Sequence, residues 1–194
     1  MKSFFFNFIK SSIPHFHIND DELNLIAENF EEMELEKGEY FLKQGKISGS
    51  LILTEGHLRA YTFNENGDEV TTAFYAPPRL IFDVASFFQQ KPSVENIIAI
   101  TKVKGYYSNY KTVDKLFHEH ALWREFGRAM LAKEYILFKD RTMRLINLTA
   151  EERYAHLMET NSEIFQIAQL RHIASYLNIT DTSLSRIRRE FTLR

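Results

Sequence analysis

The stretch Gln169-Leu170-Arg171-His172-Ile173-Ala174-Ser175-Tyr176-Leu177-Asn178-Ile179-Thr180-Asp181-Thr182-Ser183-Leu184-Ser185-Arg186-Ile187-Arg188-Arg189-Glu190-Phe191 holds two short amphipathic patterns divided by one break. Leu170, Ile173 and Leu177 recur at helical spacing and predict the buried face of a first helix. Ala174 is small where a second helix must cross closely. Asn178 falls at the break, where a tight turn demands left-handed backbone; glycine is the usual residue there and asparagine the next best. Thr180 is placed to cap the second helix, whose buried stripe is Leu184, Ile187 and Phe191. Together these features predict a helix-turn-helix.

The opposite face of the second helix presents Thr182, Ser185, Arg186 and Arg189, with Ser183 and Arg188 on its flanks. Arginine can pair with guanine through two parallel hydrogen bonds in the major groove, and serine or threonine hydroxyls reach base edges or phosphates. Arg171, Thr180, Thr182, Ser183, Ser185, Arg186, Arg188 and Arg189 are therefore the candidate contacts to double-stranded DNA. The plainer alternative is an amphipathic helical hairpin with a solvated basic face.

Charge supports the first reading only when it is divided by segment. The 194-residue chain carries a formal −2, which by itself argues against nucleic-acid binding through bulk positive charge. From Ile164 to Arg194, however, the count is +3, so the remainder is −5. The absence of cysteine excludes disulfides, thiolate zinc sites, cysteine-held iron–sulfur clusters and a cysteine nucleophile. No run approaches the roughly 18 apolar residues that a membrane span needs. Met1-Lys2-Ser3-Phe4-Phe5-Phe6-Asn7-Phe8-Ile9-Lys10 lacks the cleavage site of a signal peptide and predicts an aromatic-rich first helix. A cytoplasmic chain without a membrane partner is expected.

Upstream of the helix-turn-helix two textures meet near residue 110. The runs 39–43, 50–54, 58–63, 69–75, 97–101 and 105–107 are short, β-branched or aromatic, and separated by Lys37-Gly38, Gln44-Gly45, Glu55-Gly56, Asn66-Gly67-Asp68 and Pro77-Pro78. This spacing predicts an antiparallel sandwich or jelly roll, with its clearest hairpin at Asn66-Gly67-Asp68. Beyond residue 111 the period becomes helical. Leu122, Phe126, Ala129, Met130, Ile136, Leu137 and Met143 recur at three- and four-residue spacing through about 25 residues without proline, on the order of 38 Å of helix. Trp123, Leu131, Tyr135 and Phe138 widen the apolar surface, so one stripe can face the roll and another a second copy of the chain. The alternative lays the whole helix on its own domain. Thr149-Ala150-Glu151-Glu152 has capping-box spacing for a further helix. The expected fold class is α+β: a roll over residues 1–118, a long dimerisation helix over 119–147 and a helix-turn-helix over 148–194.

Residues 171–180 with Leu184-Ser185-Arg186-Ile187-Arg188-Arg189 resemble the DNA-binding end of the CRP/FNR family of bacterial transcription regulators. Glu36-Lys37-Gly38-Glu39-Tyr40-Phe41-Leu42-Lys43-Gln44-Gly45-Lys46, Leu58-Arg59-Ala60-Tyr61 and Asn66-Gly67-Asp68-Glu69 resemble the first hairpins of that family's cyclic-nucleotide-binding-like roll, and Leu148 to Tyr154 its linker helix. The resemblance implies a homodimer that regulates transcription by binding specific DNA, with RNA polymerase as a further partner and a small-molecule effector housed in the roll.

Two departures limit that implication. In cyclic-nucleotide-binding members a Gly-Glu pair meets the ribose and a later Arg meets the cyclic phosphate. Here Phe82-Asp83 stands at the first place and no Arg follows in Lys91-Pro92-Ser93-Val94-Glu95-Asn96, where Glu95 would repel a phosphate. Phe82, Asp83, Val84, Val94 and Glu95 are the candidate effector pocket, its ligand not a cyclic nucleotide. The other departure is the hairpin wing that usually follows the recognition helix, missing or truncated where only Thr192-Leu193-Arg194 follow Phe191. Asp181, beside the phosphates, and the missing wing predict modest, salt-dependent affinity.

Other chemistry is weakly signalled. His118-Glu119-His120 has the look of a metal-binding tripeptide but is expected at a helix boundary, where alternate side chains diverge. His57, beside Gly56, is read as structural. No P-loop, dinucleotide fingerprint or Ser-His-Asp grouping is present, so no cofactor, metal or enzymatic activity is expected. The competing functional reading is a small-molecule-binding jelly-roll module whose C-terminal helices make protein contacts; a metalloenzyme ranks third.

Overall fold

The computed structural model describes residues 2–192. Helix α1 (Lys2–Ser12) turns Phe5, Phe8 and Ile9 inward at helical spacing, as the aromatic N-terminus predicts. Helix α2 (Asp20–Ala27) is capped by Asn19, whose side chain accepts from the Asp21 N–H, and it buries Leu23 and Ile26.

Eight strands follow: β1 (Glu31–Leu35), β2 (Tyr40–Leu42), β3 (Ser50–Glu55), β4 (Leu58–Phe63), β5 (Glu69–Tyr75), β6 (Arg79–Ile81), β7 (Asn96–Ala99) and β8 (Val103–Ser108). They form two antiparallel four-stranded sheets, ordered β1-β8-β3-β6 and β2-β7-β4-β5. The β4–β5 hairpin turns where predicted. Asn64 accepts from the Asn66 and Asp68 N–H groups through its side-chain oxygen, and Gly67 takes φ 83, which a side chain would strain. Leu51, Leu53, Leu58, Ala60, Ile97 and Val103 fill the space between the sheets.

Strands β1 and β6 lie outside the predicted runs. Three of the five β1 residues, Glu31, Glu32 and Glu34, are glutamates, and the position of β1 at the end of a sheet leaves them in solvent. Between β6 and β7 sits the short helix α3 (Val84–Gln89), and after β8 comes α4 (Tyr110–Glu119), capped by Asn109.

The long helix α5 (Ala121–Asn147) corrects the sequence reading in its first half. Leu122, Phe126 and Met130 do not face a partner: they are buried with Trp123 against Phe5, Phe8, Ile9, Phe30 and Leu116, and Ala129 packs at the margin of the same cluster. The α1 and α2 side chains cover this stripe, and periodicity alone cannot tell an internal partner from a second chain. Gly127 permits the fit, because a Cβ there would stand 2.4 Å from the Phe117 ring. Further along, Tyr135, Ile136, Phe138, Met143 and Ile146 are exposed.

The chain ends in α6 (Ala150–Thr160), α7 (Ile164–Ile167), α8 (Leu170–Tyr176) and α9 (Asp181–Thr192). The Thr149–Glu152 capping box is formed in both directions. Tyr154, Leu157, Ile164, Ile173, Ala174, Leu177, Leu184 and Ile187 make the C-terminal core, joined by Phe74 of β5. Helix α8 lies on β5: the Thr71 N–H donates to Ser175 Oγ at 2.9 Å, and the Phe74 and Tyr176 rings meet edge to face at 5.2 Å. The fold is mixed α+β, an antiparallel roll followed by a long helix and a helical end.

Candidate nucleic-acid interface

The turn between α8 and α9 forms as its residues dictate. Asn178 adopts φ 55; its N–H donates to the Ser175 carbonyl and the Ile179 N–H to the Ala174 carbonyl, each at 3.0 Å. These are the paired bonds of a left-handed helix stop. Thr180 then caps α9, its hydroxyl accepting from the Ser183 N–H at 3.2 Å. Leu184 and Ile187 are buried, and Phe191 stacks edgewise on Tyr154 at 4.9 Å.

One expected core position is wrong. Leu170 is exposed, and His172 is buried in its place. The buried face of α8 is set by β5 as well as by α9, and that second surface rotates the buried sector toward His172 and Tyr176.

The outward face of α9 carries Thr182, Ser185, Arg186 and Arg189, all exposed, and with Asp181 they line one open surface groove. Arg171 and Arg188 are exposed beside it. Thr180 and Ser183 are engaged with one another: the Thr180 hydroxyl donates to Ser183 Oγ at 2.9 Å. Arg186 is not a simple exposed cation. Its guanidinium donates to Glu190 at 3.1 Å and to Glu151 of α6 at 3.2 Å. Glu151 escaped the sequence reading because the capping box accounts for Glu152, and nothing local says that its neighbour faces a helix 35 residues away.

Behind this face lies a buried polar group that sequence reasoning also missed. Arg59 of β4 pairs with Glu69, donates to the Thr71 hydroxyl at 3.1 Å and stacks on Tyr61 at 4.2 Å. His172 Nε2 stands 3.5 Å from the same Glu69 carboxylate. Burial, reinforced by the Arg59 charge, holds the His172 imidazole down at about 4, so it is neutral near pH 7. Arg141 of α5 donates to the Tyr176 carbonyl at 3.2 Å and stacks on its ring at 4.5 Å, tying the long helix to α8.

The candidate effector region is brought together only in part. Phe82 packs against Phe87 and Phe88, at 5.2 and 5.9 Å between ring centres. Asp83 caps α3, accepting from the Ala85 and Ser86 N–H groups and from Ser93 Oγ at 2.6 Å. A carboxylate thus already occupies the helix end where an anionic ligand would bind. Burial holds the Glu95 carboxyl above the usual carboxylate range, with the nearby Asp83 charge adding to it. Val84 and Val94 do not line a pocket: they are 47 % and 67 % exposed, because α3 and the following loop turn them outward. The apolar cavity beside Phe82 measures about 20 Å³, the room of a single water.

Of the other candidates, His118 bonds back to the Asp114 carbonyl and His120 faces Glu22 at 3.2 Å, so the tripeptide diverges as its helix boundary requires. Among the described residues no group of His, Cys, Asp and Glu is placed to hold a metal ion. His57 is buried, 3.5 Å from Glu163. No described helix is long and apolar enough to cross a membrane.

Residues 32–120 match the family described as the cyclic nucleotide-binding domain. No curated protein matches the chain significantly in sequence. Among solved structures, a CRP/FNR-family transcriptional regulator from Eubacterium rectale superposes with a TM-score of 0.70 at 16 % identity, covering 91 % of this chain and 84 % of the other. FixK2 from Bradyrhizobium japonicum gives 0.69 at 19 % identity, over 84 % and 85 %. The catabolite activator protein of Thermus thermophilus gives 0.57 at 15 % identity, over 93 % and 86 %. Residues 32–120 thus match the cyclic nucleotide-binding domain family, and the chain that contains them has the fold of the CRP/FNR transcription regulators.

Proposed function

We propose that this chain is a non-catalytic, sequence-specific DNA-binding transcription regulator that acts as a homodimer, with residues 1–118 as regulatory roll, 119–147 as dimer helix and 148–194 as DNA-binding end. The observation that carries the reading is the α9 face: Thr182, Ser185, Arg186 and Arg189 exposed together on a helix held by a left-handed turn at Asn178. Arginine and hydroxyl side chains on such a helix suit base edges and phosphates of the major groove.

A second copy fits the later half of α5. At about 100° per residue, Tyr135, Ile136, Phe138, Met143 and Ile146 fall on one side of the helix, and all are exposed. Leu137, 36 % exposed, lies outside that sector. Two recognition helices would then enter major grooves one turn apart, about 34 Å. RNA polymerase is the downstream partner this role implies. Room for no more than a single water beside Phe82, together with the Asp83 cap, supports a roll that takes no cyclic nucleotide.

The test is fluorescence anisotropy against duplexes selected from a random pool. Arg186→Ala and Arg189→Ala should each weaken selective binding by about tenfold or more, and the native affinity should fall steeply with salt. Selective binding left intact in both variants would sink the assignment of this face and favour a protein-contact role for the C-terminal helices.

A further inference from the structure

Where the last turns of α5 meet α6 and α8, a cavity of about 60 Å³ opens that the recognition face does not use. Arg141, Arg144, Arg153 and His156 supply its wall, with Tyr176 and Leu157 among the apolar lining, and none of the lining side chains is a carboxylate. The arginines are half-buried. Arg153 donates to the Leu148 and Leu177 carbonyls and Arg141 to the Tyr176 carbonyl. Arg144 meets the exposed Asp140 at 2.8 Å. Arg141 Nε is buried without a hydrogen-bond partner among the described residues. Asp140 offsets the Arg144 charge from outside the wall, and with no acid in the wall itself an anion in the cavity would offset the remaining guanidinium charge.

We infer that this cavity is a binding site for a phosphate-class oxyanion, either inorganic phosphate or the phosphoryl group of a small molecule. Planar guanidinium forks match the tetrahedral oxygens of such a group, and the space holds one oxyanion group or several waters. The duplex on the α9 face is a poor source for it. Around α6 the lining residues Arg153, His156, Leu157 and Thr160 fall within about 100° of one another, whereas Glu151, the partner of Arg186, lies about 170° from their middle. The anion site and the recognition face thus use opposite sides of one helix. An occupant would tie α5 to α6 and α8 at the joint between roll and helix-turn-helix; only its regulatory meaning rests on the DNA-binding reading.

The test is calorimetric titration of the full chain with inorganic phosphate and with a phosphomonoester, sodium chloride holding ionic strength constant. The variants are Arg144→Gln and His156→Gln, because Arg141 and Arg153 hold backbone carbonyls and their loss would unseat the helices. Saturable binding is expected, weakened about tenfold or more in each variant and unchanged in Arg186→Gln. Tighter binding of the monoester would identify a phosphorylated small molecule, and equal or tighter binding of inorganic phosphate the free ion; either result supports the site. No saturable binding of either probe, or equal weakening in Arg186→Gln, would overturn it while leaving the DNA-binding reading intact. Phosphate binding unaffected in Arg144→Gln while duplex binding drops would overturn it in favour of the DNA backbone.

Discussion

At Asn178 one backbone angle decides whether α9 can leave α8 in the direction it takes, since φ 55 is open to asparagine and glycine and strained for most others. Asn178→Gly should leave the thermal midpoint close to native, whereas Asn178→Ala should destabilise by about 1 kcal/mol. His172 makes a different kind of residue-scale prediction. Burial, then the Arg59 and Arg171 charges, holds its imidazole down at about 4 when docked, with Glu69 and Asp181 opposing, against 6.5 when released. The released state binds more protons between those values, so the contribution is complete above pH 6.5, declines as pH falls and is gone below about 4. It amounts to up to about 3 kcal/mol. Denaturant titrations across that range should find a shallower acid slope in His172→Gln than in the native chain, and identical slopes would refute the assignment. Glu151 belongs to this scale too. Glu151→Gln frees Arg186 from one of its two carboxylates and should raise duplex affinity severalfold. Asn178 and Thr180 were legible because a stop and a cap are local chemistry, whereas Glu151 and His172 act on residues 35 and 103 positions away and leave no local pattern.

Among the elements, α5 divides into two halves with different work. Phe126 in the first half is fully buried, and Phe126→Ala should cost about 3–5 kcal/mol of stability in a denaturant melt. Phe138 and Ile146 in the second half are 67 % and 69 % exposed, and Phe138→Glu with Ile146→Glu should leave folding intact while sedimentation shifts from dimer to monomer. An unchanged dimer would place the contact elsewhere. The sequence pattern runs evenly through both halves, since periodicity reports an apolar stripe without its neighbour. What distinguishes them is α1, whose Phe5, Phe8 and Ile9 reach back across more than 100 residues to cover Trp123 and Phe126. The hairpin of β4 and β5 was readable for the opposite reason: Asn64 and Gly67 make its turn from within. Strand β1 gave no such signal, because three of its five residues are glutamates, which only its place at a sheet end explains.

Across the whole molecule, the order of roll, long helix and helical end was legible from texture alone, but their docking was not. The long helix, the roll and the helix-turn-helix converge on Tyr176, which Arg141 stacks on from α5 and Phe74 meets from β5. Replacing Tyr176 with Ala should loosen all three, lowering the thermal midpoint and raising hydrogen exchange in α8 and β5 together; exchange confined to α8 would refute a shared joint. The Thr71 to Ser175 bond has one more consequence. β5 closes its sheet, so its outer amides and carbonyls would otherwise stand open to any extended peptide, and α8 is what covers them. Were the proposed DNA binding to need an outward swing of the helix-turn-helix, it would uncover an adhesive strand border. In that state the chain would be exposed to self-association by strand addition, and bound duplex, or a rapid return to the docked position, would become part of what keeps it soluble.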